Sequence, residues 1–207
     1  MKTIIWDVDD VLNDLMRAWF EEYATLSGAD SHVTYDQLTS NPPHELLGIS
    51  RMEYLASLDK FRLSGMAEKM KPVDEIFEWF CRHGESCHNV ALTAAPLCAS
   101  PVSADWVMRN FGRWIRSFNV IPSPRPGIKA AQYHGAKSDF LEWWGKADIL
   151  VDDSGENIAG AVSLGIQAVL FPRPWNRSIQ TMKEALEELT ELVLPPIQDP
   201  AIQMVDL

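Results

Sequence analysis

Cysteine is scarce in this chain and its number is odd: Cys81, Cys87 and Cys98 are the only three among 207 residues. Such a count does not build a disulfide framework, so reduced thiols in a cytoplasmic protein are the expected state. Long apolar runs are missing as well. No stretch approaches the ~20 residues that a membrane-spanning helix needs, and strand-like sequence from Thr3 onward leaves no room for a signal peptide, so no membrane partner is expected. Positive charge is in short supply, with 18 Lys and Arg against 29 Asp and Glu and a net charge of -11. That balance repels a phosphate backbone and argues against nucleic-acid polymers as partners unless a local basic groove overrides the total. It does not argue against a small anionic metabolite, because a metal, a lysine and backbone N–H groups can supply positive potential at one place. There is no internal repeat and no signal for an oligomeric state. What is present is 46% hydrophobic content, enough for one full-sized core or for a core with a small appended domain.

Short apolar runs rich in branched residues alternate with amphipathic stretches. This is the pattern of an α/β fold, a three-layer Rossmann-like parallel sheet with helices on both faces. Five core strands are predicted, over 3–6, 89–93, 118–121, 149–151 and 168–171. Between the last two, Ile158, Ala161 and Val162 recur at helical spacing, and Gly165 falls where a left-handed helix terminus is expected. Ser178 is the expected cap of a final helix with the apolar face Met182, Leu186, Leu189 and Val193, stopped by Pro195 and Pro196, and the last dozen residues read as a tail. Residues 14–70 break the alternation with helical pieces and turn signals but no strand. They read as an inserted helical cap, leaving 1–13 and 71–207 as the core. Within the cap, Trp19, Phe20 and Tyr23 fall on a helix, Asn41-Pro42-Pro43 breaks the chain, and Ser50 with Glu53 forms a capping box. Val73, Ile76, Phe77 and Phe80 then recur at helical spacing, which places a helix against the sheet as the chain rejoins the core.

Two strands run into clustered acids. Ile4-Ile5-Trp6 leads to Asp7-Val8-Asp9-Asp10, and Ile149-Leu150-Val151 leads to Asp152-Asp153. Asp7 and Asp9 lie on one face, about two strand rises apart, as long as the backbone stays extended. Like charges this close raise each other's proton affinity unless a cation neutralises them, and hard oxygen ligands favour magnesium. In open parallel sheets ligands bind beyond the carboxyl ends of the strands, so Asp7, Thr93 and Asp152 are expected to converge.

These residues resemble the haloacid dehalogenase superfamily in its phosphatase branch. Its Asp-x-Asp-x-Val/Thr turn reads Asp7-Val8-Asp9-Asp10-Val11 here, its strand-ending hydroxyl matches Thr93 in Leu92-Thr93-Ala94, its lysine at a helix start fits Lys137 in Gly135-Ala136-Lys137-Ser138, and its acidic pair matches Asp152-Asp153. A narrower resemblance, to the five-prime (three-prime) deoxyribonucleotidase group, comes from Leu170-Phe171-Pro172-Arg173-Pro174-Trp175-Asn176-Arg177 and from the small cap between the first two motifs. The resemblance implies a magnesium-dependent phosphomonoester hydrolase acting on a small phosphorylated substrate such as a nucleoside monophosphate. It implies Asp7 as the nucleophile that becomes an aspartyl-phosphate and Asp9 as the general acid and base. Thr93, the Ala94 backbone and Lys137 would bind phosphate. Magnesium would be held by Asp7, the Asp9 backbone carbonyl and Asp152, with Asp153 acting through water or by orienting neighbours. Dehalogenases in the superfamily lack the second acid, so Asp9 favours phosphoryl over carbon–halogen chemistry.

Other readings stand beside these. An EF-hand loop at Asp7 fails because Leu12 and Ala18 stand where a glycine and a glutamate are required. Asp10 is expected in turn or cap chemistry, and Asp152 and Asp153 could cap the following helix. Lys129 rivals Lys137. Cys81, His83, Cys87 and His88 crowd one loop without the spacing of a zinc site. Trp19, Phe20 and Tyr23 are expected in a core rather than stacked on a base. Arg173 and Arg177 are left open between substrate contact and exposed charge. A phosphosugar substrate, a phosphotransferase or mutase activity, and a non-catalytic ligand-binding protein remain the alternatives.

Overall fold

The computed structural model describes residues 1–27 and 33–194. Five strands, β1 (Thr3–Trp6), β2 (His88–Ala95), β3 (Ile115–Pro122), β4 (Ile149–Asp152) and β5 (Gln167–Leu170), form one sheet in the order β3-β2-β1-β4-β5. All four pairings are parallel. Each of the five predicted strands is present. The largest difference is at β3, which begins three residues before the prediction because the edge strand carries the exposed Arg116 and Ser117, and no apolar run marks its start.

The pleat sorts side chains between two helical layers. Ile4, Trp6, Ile149, Val151 and Val169 join a buried cluster with α4 (Asp74–His83), α5 (Ser100–Phe111) and α8 (Met182–Val193). Ile5, Val90, Leu92 and Leu150 face the other way, onto α6 (Lys137–Trp144) and α7 (Gly155–Ser163). In α4, Ile76 and Phe80 are buried while Val73 sits at the N-cap and Phe77 lies at the rim. α7 ends as expected at Gly165, whose φ of 77° suits a residue without a Cβ. The expected cap of α8 shifts: Thr181 takes the N-cap in a reciprocal box with Glu184, whereas Ser178 stands three residues too early. The apolar face Met182, Leu186, Leu189 and Val193 joins the first cluster, and the proposed stop at Pro195-Pro196 and the tail lie outside the described residues.

The chain leaves the core after Leu12 and returns at Val73, whose N–H donates to the Leu12 carbonyl at 3.0 Å beside a bridge between Asn13 and Pro72. Between these points lie α1 (Leu15–Ser27), a 3₁₀ turn at Tyr35–Gln37, α2 (Arg51–Arg62) and α3 (Gly65–Glu68), with no strand among the described residues. Ser50 and Glu53 form the expected capping box of α2. Trp19, Phe20, Leu38, Tyr54 and Phe61 form a buried cluster of their own, with Tyr23 and Trp175 at its margin.

Candidate functional site

The sheet order changes direction beside β1: β2 and β3 extend to one side and β4 and β5 to the other. The crevice at such a switch, beyond the strands' carboxyl ends, is where an open α/β sheet receives ligands. Register then decides which side chains meet there. Ile4, Ile5 and Trp6 pair with Ile149, Leu150 and Val151, so the next position on each strand is Asp7 and Asp152, on the pleat face shared with Ile5 and Leu150. That face belongs to α6, and its first residue is Lys137. The Lys137 ammonium lies 2.7 Å from Asp7 Oδ1 and 2.7 Å from Asp152 Oδ2, and the lysine is only 2% exposed. A lysine at a helix N-terminus is disfavoured by the helix dipole, so its place here depends on the two carboxylates. The rival Lys129 is exposed on the loop before α6.

Asp7 and Asp9 do not share a partner. The strand stops at Trp6, and residues 8–12 form a wide turn in which Asp10 has a φ of 64°. The condition of an extended backbone therefore fails. Asp9 Oδ2 accepts from Arg62 Nη2 of α2 at 2.9 Å, with the two side chains 18% and 12% exposed. Arg62 continues to Asp59, which accepts from Arg125 Nε at 2.5 Å and Nη2 at 2.9 Å. Asp10 acts in the turn as expected: its carboxylate accepts from the Met16 N–H at 2.8 Å at the start of α1.

At the end of β4, Asp152 is saturated. Beyond Lys137 it accepts from the Ser154 N–H at 2.9 Å and from Asn157 Nδ2 at 3.0 and 3.1 Å. Asp153 accepts from Trp175 Nε1 at 2.6 Å. Carboxylate oxygens of Asp7, Asp152 and Asp153 lie within 4.8 Å of one another, among the described residues the one cluster able to hold a metal. The Asp9 carboxylate is outside it, and Asp153, not assigned to the metal on sequence grounds, is inside it. Thr93, at 1% exposure, presents a buried hydroxyl with no hydrogen-bond partner among the described residues.

Burial dominates the electrostatics. It raises the Asp7 carboxyl well above the usual range, with Asp152 and Asp153 adding to the rise and Lys137 opposing it. Burial, then the charges of Asp10 and Asp152, raises Asp153 to about 8 against the opposing Trp175 bond and Lys137. Burial pulls the Lys137 ammonium down, yet Asp152 and Asp7 outweigh it and the group is raised above its ordinary value. One lysine faces three buried carboxylates, and when all three are ionised two of the charges have no counterion within the cluster, so protons or a divalent cation bound by hard oxygens would have to balance them.

The cluster opens on a cavity of about 580 Å³. Asp7, Asp9, Thr93, Ala94, Lys137 and Asp153 line its floor, α2 supplies Met52, Leu55 and Leu58 as an apolar wall, and Arg51, Arg62 and Arg125 add positive charge. Trp19, Phe20 and Tyr23 pack in the insertion's own cluster instead. Arg173 is buried, donating through Nε to the Asp10 carbonyl at 2.6 Å and pairing with Asp14, while Arg177 is exposed. Arg62, Arg125, Asn157 and Trp175 were not assigned to the site from sequence. Only Trp175 carried a signal, through the motif that contains it.

No family model matches the chain, and no curated protein matches it. Solved structures do. A haloacid dehalogenase-like family hydrolase from Streptococcus pneumoniae superimposes with a TM-score of 0.61 at 13% identity, over 91% of this chain and 98% of that one. The fold is that of the haloacid dehalogenase-like hydrolases. A protein from Lactobacillus delbrueckii subsp. bulgaricus, provisionally named a phosphoglycolate phosphatase, has a TM-score of 0.60 at 15% identity, over 93% of this chain and 98% of that one. Another from Thermotoga maritima, provisionally named a beta-phosphoglucomutase, has 0.56 at 15% identity, over 92% of this chain and 99% of that one. At such identities the shared property is the haloacid dehalogenase-like fold. Among the described residues no helix is long and apolar enough to cross a membrane.

Proposed function

We propose that this chain is a magnesium-dependent phosphomonoester hydrolase working through an aspartyl-phosphate, with residues 14–70 as the cap over its cavity. The observation that carries the reading is Lys137 bridging Asp7 and Asp152 beside an unpartnered, buried Thr93 hydroxyl. A buried orphan hydroxyl costs stability unless a ligand completes it, and a phosphate oxygen is an acceptor of the right kind. Asp7 Oδ1 is held by the Val8 N–H and by Lys137, while Oδ2 has no hydrogen-bond partner among the described residues and is assigned the attack on phosphorus.

The first step forms the bond from Asp7 to phosphorus and breaks the ester bond, and the leaving alkoxide takes a proton from Asp9. In the second, Asp9 takes a proton from water, the water oxygen bonds to phosphorus, and Asp7 is released with inorganic phosphate. Lys137 and Thr93 bind the phosphoryl oxygens in both steps, and the exposed Ala94 lies where its backbone can approach them. Asp9 is held by Arg62 at 2.9 Å, so the pair has to part before Asp9 reaches the leaving oxygen.

Asp7 and Asp153 would hold magnesium, with Asp152 within reach but engaged by Lys137 and Asn157. When bound, the cation would neutralise charge developing on the phosphoryl group. The Asp9 carbonyl keeps its proposed place as a backbone ligand.

For the substrate, a nucleoside monophosphate is the first choice. The resemblance of residues 170–177 supports it, and the apolar α2 wall offers a flat leaving group a surface. A phosphosugar is the second reading, favoured by the arginines that line the same cavity. Measuring phosphate released from a panel of nucleotides, sugar phosphates and simple esters decides between them. Hydrolysis of nucleotides ahead of the others supports the first choice, inert nucleotides beside reactive sugar phosphates support the second, and no hydrolysis of any ester rejects the activity.

A further inference from the structure

The loop that follows β5 has no task in the reaction described above, yet it reaches both acid-bearing turns. Arg173 donates to the Asp10 carbonyl in the turn after β1, and Asn176 Nδ2 donates to the Asp153 carbonyl at 2.9 Å and to the Phe171 carbonyl at 2.7 Å. Between them, Trp175 places its Nε1 2.6 Å from Asp153 Oδ2. The same indole lies edge-on to Tyr35, with ring centroids 6.2 Å apart, and packs against the buried cluster of the insertion.

We propose that Trp175 is a positioning residue for Asp153, fixing the carboxylate in the orientation that meets a divalent cation and tying that orientation to the packing of the cap. The inference rests on the reading of the acid cluster as a magnesium site. An unrestrained carboxylate samples several orientations about χ1 and χ2, and a donor at hydrogen-bond distance on one oxygen selects among them. The kind of donor matters. Indole nitrogen donates only and carries no charge, so it orients Asp153 without neutralising it. Asp152 has the opposite arrangement, with an ammonium on one oxygen and amide donors on both. Of the two acids at this strand end, the lysine consumes the charge of one and the tryptophan leaves that of the other for a cation. Outer partners of this type are worth roughly 10–100-fold in metal affinity.

The test is Trp175→Phe, which keeps an aromatic ring against Tyr35 and removes the N–H. Magnesium binding to the metal-free full chain is measured by calorimetry, alongside the unfolding midpoint without metal. The expected result is a magnesium Kd raised about tenfold or more, with the metal-free midpoint close to wild type. A Kd within about twofold of wild type overturns the proposal. Trp175→His restores a ring N–H and is expected to recover part of the affinity, whereas equal loss in both variants assigns the effect to packing and overturns it too. Wild-type protein that takes up no magnesium rejects the cluster as a metal site, and this control separates the two failures.

Discussion

Two acid pairs end neighbouring strands, Asp7 and Asp9 after β1 and Asp152 and Asp153 after β4, and in each pair the member that continues the pleat meets Lys137. The other member turns to a residue from elsewhere in the chain: Asp9 to Arg62 of the insertion, Asp153 to Trp175 after β5. The inner acids are placed by the sheet and the outer acids by what surrounds it. The partners differ in charge, and this separates the outer acids chemically. Asp9 is paired with a charged guanidinium, while Asp153 accepts from an uncharged indole, and on the proposed mechanism only the second acid is left to meet a cation.

The contrast breaks most sharply at Asp7. Asp7→Asn keeps the shape and one acceptor oxygen while removing the proposed nucleophile, so phosphate release is expected to fall to background, about 10⁴-fold or more. Magnesium binding and a near-native unfolding curve measured beside it show whether the fold survives. Wild-type turnover in that variant removes Asp7 from the mechanism.

Asp9→Asn is the next largest effect, a loss of roughly 10² to 10⁴ in kcat as expected for a general acid and base. Because the Asp9 carboxylate stands outside the acid cluster, calorimetry is expected to return an unchanged magnesium Kd. Asp153→Asn supplies the opposite pattern, with magnesium affinity lost first. If both variants weaken magnesium equally, the division between the outer acids does not hold.

How much of this was legible in the sequence follows the same division. Strand parity is a local property, and Asp7, Asp152 and the hydroxyl of Thr93 could be read from where apolar runs stop. Lys137 is legible from its place at the start of a helix ahead of the fourth strand, which the family resemblance marks, whereas its carboxylate partners on two strands are set by the sheet. A shared face for Asp7 and Asp9 holds only for an extended backbone, and the strand stops at Trp6 with residues 8–12 in a turn, a stop that no change of residue type announces. For Asp153, alternation says nothing about direction once the strand ends, so its place in the acid cluster is set by the fold. Arg62, lying 53 residues from Asp9 in the chain, had no local signal at all. Long-range partners of this kind depend on how the insertion folds over the sheet, which neither periodicity nor spacing encodes.

Lys137→Met tests the inner acids. It preserves side-chain length and leaves Asp7 and Asp152 buried without their shared cation, a change on the scale of about 3–5 kcal/mol for breaking a buried ion pair. Urea unfolding of the metal-free protein measures it. Magnesium is expected to restore part of the loss by meeting the same carboxylates, and a variant as stable as wild type without metal contradicts the charge balance drawn from the cluster.

The smallest expected effect is a pH dependence that both strand ends share. Without metal, burial raises Asp7, raises Asp10 to about 7 and raises Asp153 to about 8, from an ordinary value of 3.8. A carboxyl whose folded value is raised binds protons more tightly in the folded state than in the unfolded chain. Its contribution therefore falls as pH rises from the unfolded value through the folded one, a window from about pH 4 to about pH 8. The metal-free unfolding midpoint is expected to drop across that window. Self-repulsion in an acidic chain acts in the same direction, so the drop alone does not assign the cause. The magnesium response does. Protons and a cation compete for Asp7 and Asp153, so the rise in midpoint on adding magnesium is expected to be larger at pH 8 than at pH 5. An equal rise at both pH values places the bound cation away from these acids, and the difference between the strand ends would then have to come from packing rather than charge.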